Sequence, residues 1–345
     1  VRRITAFILA AALLWSSMAA FAEPLTPLDQ RRGADQTFLT FPEWYLVHSP
    51  AEYAHFLGYS THPSEFPLFA HIGQFWQGYA AVCREIQKFP FNGGYHLMVM
   101  VIGTSTTLEY SLKGIYEHTI GRLGEATRSG ITLVPEERFA GRYAQAYVDF
   151  IRIDPWYMFD FAAQLKTLWS DFPIQGPNLL RRWERRFALT SELVAKTIYG
   201  KLIKLATHSI YDAPKPVSAV ILSKAPQPNP IYSEVKTLPG SFGNAVGATI
   251  PRYEAFTRYS LWLAANGIEF KEIAGNSGDV VVSVLAGNNW SPQANAVRVL
   301  FAQPIITQPG RRRFVLAMPV PELSNQLRAI GQESNSISVE HVYDF

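Results

Sequence analysis

Residues 212–230 read DAPKPVSAVILSKAPQPNP, and the fold turns on them. Five prolines, at 214, 216, 226, 228 and 230, leave only the short apolar run Val217–Leu222 free to pair as a strand. Proline offers no backbone N–H and clashes with the preceding helical turn, so the stretch suits a linker or an edge strand and cannot continue a helix. The apolar spacing changes across it. Upstream, apolar residues recur at intervals of three and four; downstream they alternate at two. This predicts an α+β chain of two domains: an all-α, aromatic-rich helical domain over residues 23–210 and an α+β domain over 211–345.

Upstream, Pro and Gly punctuate helices expected near 65–88, 95–123, 135–151, 156–170 and 178–207. Ser49-Pro50-Ala51-Glu52 has the layout of a capping box with Pro at the first helical position, which predicts a helix start at Pro50. Downstream, strands are expected at 217–222, 268–273, 280–285, 297–301, 314–318 and 337–345, with helices over 252–265 and 322–330. That order matches a ferredoxin-like antiparallel sheet with two helices on one face. The sequence displays no internal repeat.

The first 22 residues carry Arg2 and Arg3, an apolar run and a closing Ala20-Phe21-Ala22, the pattern of a secretory signal peptide. An uncleaved anchor over residues 4–22 is the competing reading. Either way the expected location is exported, periplasmic or secreted. The apolar stretch 97–108 is too short to span a bilayer and is expected to be a buried core helix. The formal charge of the 345 residues is +3, falling to +1 without the leader, which excludes nucleic-acid binding driven by phosphate neutralisation. One cysteine, Cys83, excludes a disulfide framework or a multi-cysteine metal site. No metal or other cofactor is implied.

Residues 179–205 are the most patterned stretch. Leu180, Trp183, Phe187, Val194, Ile198, Leu202 and Leu205 form one apolar stripe, while Arg181, Arg182, Arg185, Arg186, Lys196, Lys201 and Lys204 lie off it. The expected arrangement packs the stripe into the core and presents the basic side to solvent, a lipid headgroup layer or an acidic partner. A lipid or anionic membrane surface, or an envelope protein, is the expected partner. Trp76, Tyr79, Trp156 and Tyr157 are candidates to wall an apolar pocket. Acid, base or ligand roles fall to Glu109, Glu117, His55 and His71, although Glu109, Lys113 and Glu117 equally form an outward ion-pair ladder at i, i+4, i+8. His48, His55, His62 and His71 cluster in sequence but are expected to sit in loops and at helix ends. The glycine-rich loop 239–247 reads as a connector, Cys83 as a small hydrophobe, and His341 as a core histidine. No complete catalytic constellation stands out. The function expected is an exported envelope protein that binds an apolar or lipid-like ligand, or a membrane, through its helical domain; an enzyme, or a subunit of an envelope complex, is the alternative.

Overall fold

Residues 36–207 are helical almost throughout in the computed structural model, which describes residues 24–344 apart from 34, 60, 61, 131, 174, 208–216, 293–295, 334 and 335. The expected leader and the expected boundary at 210 both lie outside the described residues. The helices are α1 (Gln36–Gly58), α2 (Leu68–Glu85), α3 (Gly93–Tyr116), α4 (Arg122–Ala126), α5 (Pro135–Ile151), α6 (Phe161–Ser170) and α7 (Leu179–Thr207). A π-helical turn, Glu117–Gly121, joins α3 to α4. Side-chain caps mark several starts: Asn92 accepts from the Tyr95 N–H, and Asp160 from the Ala163 N–H.

The start expected at Pro50 is absent, because α1 runs unbroken through Pro42 and Pro50. Ser49 and Glu52 do not form a capping box. Ser49 Oγ lies 2.9 Å from both His71 Nδ1 and Tyr110 Oη, and Glu52 accepts from Arg313 at 3.0 Å. Tertiary partners for both residues outweigh the roughly 3 kcal/mol that an interior proline costs.

The second half supplies β1 (Val217–Leu222), β2 (Lys236–Thr237), β3 (Val246–Pro251), α8 (Glu254–Ala265), β4 (Phe270–Ile273), β5 (Asp279–Gly287), β6 (Arg298–Pro304), β7 (Arg311–Pro319), α9 (Leu323–Gln332) and β8 (Ser338–Val342). The chain is therefore α+β, a helical region followed by antiparallel sheets. The sheet layout departs from one ferredoxin-like sheet. Two four-stranded sheets form, ordered β2-β3-β1-β4 and β6-β7-β5-β8, every pairing antiparallel. The second repeats the first: three strands, a helix, then a fourth strand beside the first. The repeat is one of topology without visible sequence similarity. β3 accounts for much of the difference, since the glycine-rich loop enters a strand rather than a helix.

The two halves lock reciprocally. On α8, Thr257 Oγ1 accepts from the Val342 N–H in the second half; on α9, Ser324 donates to the Ile268 carbonyl in the first. Between them lies an apolar core that includes Val220, Ile250, Phe256, Leu263, Val282, Val284, Leu316 and Leu327. The alternate residues of the second sheet, Val281, Val315 and Ala317, pack outward on Phe38, Phe41 and Tyr45 of α1 and Phe75 of α2. With both faces covered, β5 reads VVVSVLAG without alternation. Residues 24–32, expected in the helical domain, instead join the first sheet: the Leu25 and Thr26 amides donate to Glu272, and the Arg32 amide donates to the Ala274 carbonyl.

Candidate functional site

Helix α7 is inverted relative to its expected packing. Arg181, Arg182, Arg185 and Arg186 are all buried, Arg181 completely, while Leu180 and Phe187 are 64% and 61% exposed. Acidic groups draw the arginines inward. Glu136, itself fully buried, takes Arg182 at 3.1 Å and Arg186 at 2.7 Å; Glu137 takes Arg181 at 2.8 Å; Glu117 takes Arg185 at 2.8 Å. The π-helical turn aims Glu117 inward, and Gly121 makes room for it, since a Cβ there would lie 2.6 Å from the Glu117 carboxylate. These four arginines therefore cannot form a lipid-binding surface. Lys201 and Lys204 are exposed.

Helix α3 is inverted in the same sense. Residues 97–108, expected in the core, expose Leu97, Met100, Val101 and Leu108 and bury Val99 and Gly103. Gly103 lets α2 approach: a Cβ there would fall 2.3 Å from the Phe75 ring. The ladder expected to face outward turns toward α7 instead. Lys113 pairs with Glu192 at 3.1 Å and Glu109 with Lys196 at 2.9 Å, while Tyr116 Oη donates to Glu184 at 3.0 Å. Rising numbers on α3 meet falling numbers on α7, so the two helices pack antiparallel along an ion-pair seam.

Behind that seam lies a cavity of about 690 Å³, walled by α1, α3, α5, the 152–158 loop and α7. Its size falls within the range of small-molecule sites. Apolar and aromatic groups line most of it, among them Trp44, Val47, Met98, Ile102, Tyr147 and Trp156. Trp156 stacks on Tyr199, ring centres 5.2 Å apart. The polar end is a fixed network: Tyr143 Oη donates to Glu192 at 3.1 Å, Lys196 pairs with the same carboxylate at 3.2 Å, and Lys113 sits 4.3 Å over the Tyr53 ring. Burial alone would neutralise these groups. The two lysines overcome it and hold Glu192 well below the usual carboxylate range, while Glu192 helps keep Lys113 above the usual lysine range. Arg152 differs from its neighbours. It lines the cavity partly buried, and among the described residues its guanidinium makes no hydrogen bond or close ion pair, its electrostatic partner being the Glu254 carboxylate, whereas the other described arginines that are not exposed all have closer partners. Tyr253, on the cavity wall, holds a φ of +63°, a strained conformation for a residue with a Cβ.

The residues expected to form a site are scattered. Of the four acid or base candidates, Glu109 alone lines the cavity. Glu117 is in the arginine network, His55 is exposed beside Gln308, and His71 is buried elsewhere. Of the four aromatics, Trp156 lines the cavity. Trp76 donates to Thr107, Tyr79 contacts His96, and Tyr157 is buried outside the wall. In the sequence Lys113 has only a place in the ladder and Lys196 one on the basic side of 179–205, and nothing marks Glu192, Tyr143, Tyr147 or Arg152 as a site residue. Their one signal is i, i+4 spacing, in Tyr143/Tyr147 and Glu192/Lys196, which a packed or solvated helix also produces.

A second polar cluster joins the helical region to the second sheet. Buried Arg313 on β7 pairs with Glu52 on α1 at 3.0 Å and with Glu340 on β8 at 2.6 Å. His48 stands 3.4 Å from Glu340, and His71 3.6 Å from Glu52. Both histidines are buried, contrary to their expected loop or helix-end placement. Burial pushes each down to about 3, so they are neutral in the fold. His341 is a core histidine, stacked 3.5 Å from the Trp44 ring. Among the described residues, no group of three or more His, Cys, Asp or Glu is placed to hold a metal ion. No helix among them is long and apolar enough to cross a membrane. No family model, curated protein or solved structure matches the chain.

Proposed function

We propose that this chain is an exported envelope protein that binds a lipid-like ligand with an acidic head in the cavity of its helical region. The carrying observation is the cavity itself: about 690 Å³ within a largely apolar, aromatic wall, with a guanidinium, Arg152, that makes no hydrogen bond, and a closed ion-pair network at the polar end. An acyl chain gains by leaving water for such walls. A carboxylate or phosphate head supplies the hydrogen-bonded partner that Arg152 lacks, its present one being the Glu254 carboxylate acting through space, in a setting where a charge-assisted bond is strong. The leader-like first 22 residues support export.

A fluorescent fatty acid tests this. It should bind with one-to-one stoichiometry, be displaced by an unlabelled fatty acid and lose at least tenfold in affinity in Arg152→Met. Ala144→Trp and Ser105→Phe, both on the wall, should weaken it as much without moving the unfolding midpoint of the milder Ser105 variant. Equal binding by wild type and all three variants, or no binding, would overturn the reading.

A further inference from the structure

Among the described residues, nothing covers the outward faces of α3 and α7. From Leu97 to Ile115, the exposed positions of α3 carry one charge, Glu109, and that carboxylate reaches Lys196. From Leu179 to Tyr199, the exposed positions of α7 carry none. Each face runs for roughly 30 Å at 1.5 Å per residue. The helices lie side by side along the ion-pair seam, and Tyr116 and Phe187 meet with ring centres 6.4 Å apart. A continuous apolar face of this size on a soluble protein marks a contact surface.

We infer that this face docks on an anionic lipid bilayer and lies in its interface without spanning it. Two observations select that occupant. First, the face is continuous with the rim of the cavity: Met98, Val101, Met158 and Tyr199 both line the cavity and are exposed. A bilayer against this face puts the cavity mouth in contact with acyl chains, whereas a second copy of the protein would seal it. Second, the exposed charges on α7 are Lys201 and Lys204, both cationic, just beyond the apolar run. They complement anionic headgroups, while a symmetric self-contact would set them against their own copies. The apolar side chains then enter the headgroup and acyl boundary, as those of an interfacial amphipathic helix do. The ligand's route into the cavity rests on the proposed function; the docking does not.

The test uses the full chain with Cys83→Ser and a single new cysteine, Leu112→Cys or Leu202→Cys, carrying an environment-sensitive fluorophore. With phosphatidylglycerol vesicles, the label should shift to the blue and be quenched by nitroxide-bearing lipids; a label at Glu333→Cys on the far α9 end should do neither. Because each label reports its own surroundings, a membrane contact made by residues 4–22 does not imitate the result. Replacing Lys201 and Lys204 by alanine should weaken the docking about thirtyfold, at roughly one kcal/mol per lysine. Unshifted labels at both face positions would overturn the inference. So would labels already buried without lipid in a protein that sediments as a dimer, which would assign the face to a second copy. Ser105→Phe separates the two proposals: it should weaken fatty-acid binding at least tenfold and leave the vesicle signal intact.

Discussion

The outer helix α7 and the sheet half of this protein sort their side chains by opposite rules. The sheet half encloses Val282, Leu316, Leu263 and Leu327 between its sheets and helices, and its stability rests on apolar burial. Helix α7 buries four arginines against Glu117, Glu136, Glu137 and Glu184, and leaves Leu180, Phe187 and Val194 outside. Desolvating charges is expensive, and a buried ion pair seldom stabilises a fold as much as apolar groups of the same volume. The proposed docking on a bilayer would account for the inversion, since a helix whose outer surface lies against hydrocarbon places its charges inside.

The sharpest way to break this comparison is to unbalance the charged interior. Glu136 alone faces both Arg182 and Arg186. Glu136→Ala should lower the unfolding free energy by about 3–5 kcal/mol, since it leaves two buried guanidinium groups without a carboxylate. Urea denaturation followed by circular dichroism measures it, and a loss under 1 kcal/mol would mean that the interior is wet and the pairs are screened. In the sheet half, Leu263→Ala should cost about 2–5 kcal/mol through lost burial and a residual cavity. Raising ionic strength should leave the leucine variant unchanged relative to wild type, and partly relieve the glutamate variant only if solvent reaches the network.

Periodicity and proline placement made the helical-then-strand order legible, and with it the α+β class. They did not say which side of an amphipathic helix faces in. The 179–205 pattern has two readings, and burial of the apolar stripe is the ordinary one for a soluble domain. The choice is made by Glu117, Glu136 and Glu137, 44 to 68 residues earlier, and a local pattern cannot register partners at that distance. Pro50 misled for a related reason: Ser49 and Glu52 satisfy the local capping rule, yet their partners are His71 and Arg313. Arg152 carries no local signal at all, because an arginine without a hydrogen-bonded partner is visible only once every neighbour has been placed. The topological repeat escaped too, since strand order is not written in residue identity.

Acid sharpens the comparison at the junction of the halves. His48 and His71 have folded values of about 3 against 6.5 in an open chain. Between those limits the unfolded chain takes up protons that the fold refuses, so stability is fully present above about 6.5 and declines as the pH drops toward 3. The slope should be roughly 1.4 kcal/mol per pH unit for each histidine. Denaturation midpoints at pH 7 and pH 5 measure it, and His48→Gln should remove about half of the difference. An equal midpoint at both pH values would mean that both rings take up protons in the fold, and half the expected difference that one of them does.

The smallest effect on stability is expected where the helical half departs most from the ordinary rule. Leu112 and Leu202 are 62% and 59% exposed, so most of their hydrocarbon is in water in the folded chain as in the unfolded one. Burial energy that the fold never gains cannot be lost by substitution. Leu112→Gln and Leu202→Gln should therefore change the unfolding free energy by no more than about 0.5 kcal/mol, the ordinary range for surface positions, although the same exchange at a core leucine would cost several times more. A loss above 1 kcal/mol in the lipid-free protein would show that the fold itself covers this face. The account of α3 and α7 as an outward apolar surface would then fall, and the buried arginines would need another explanation.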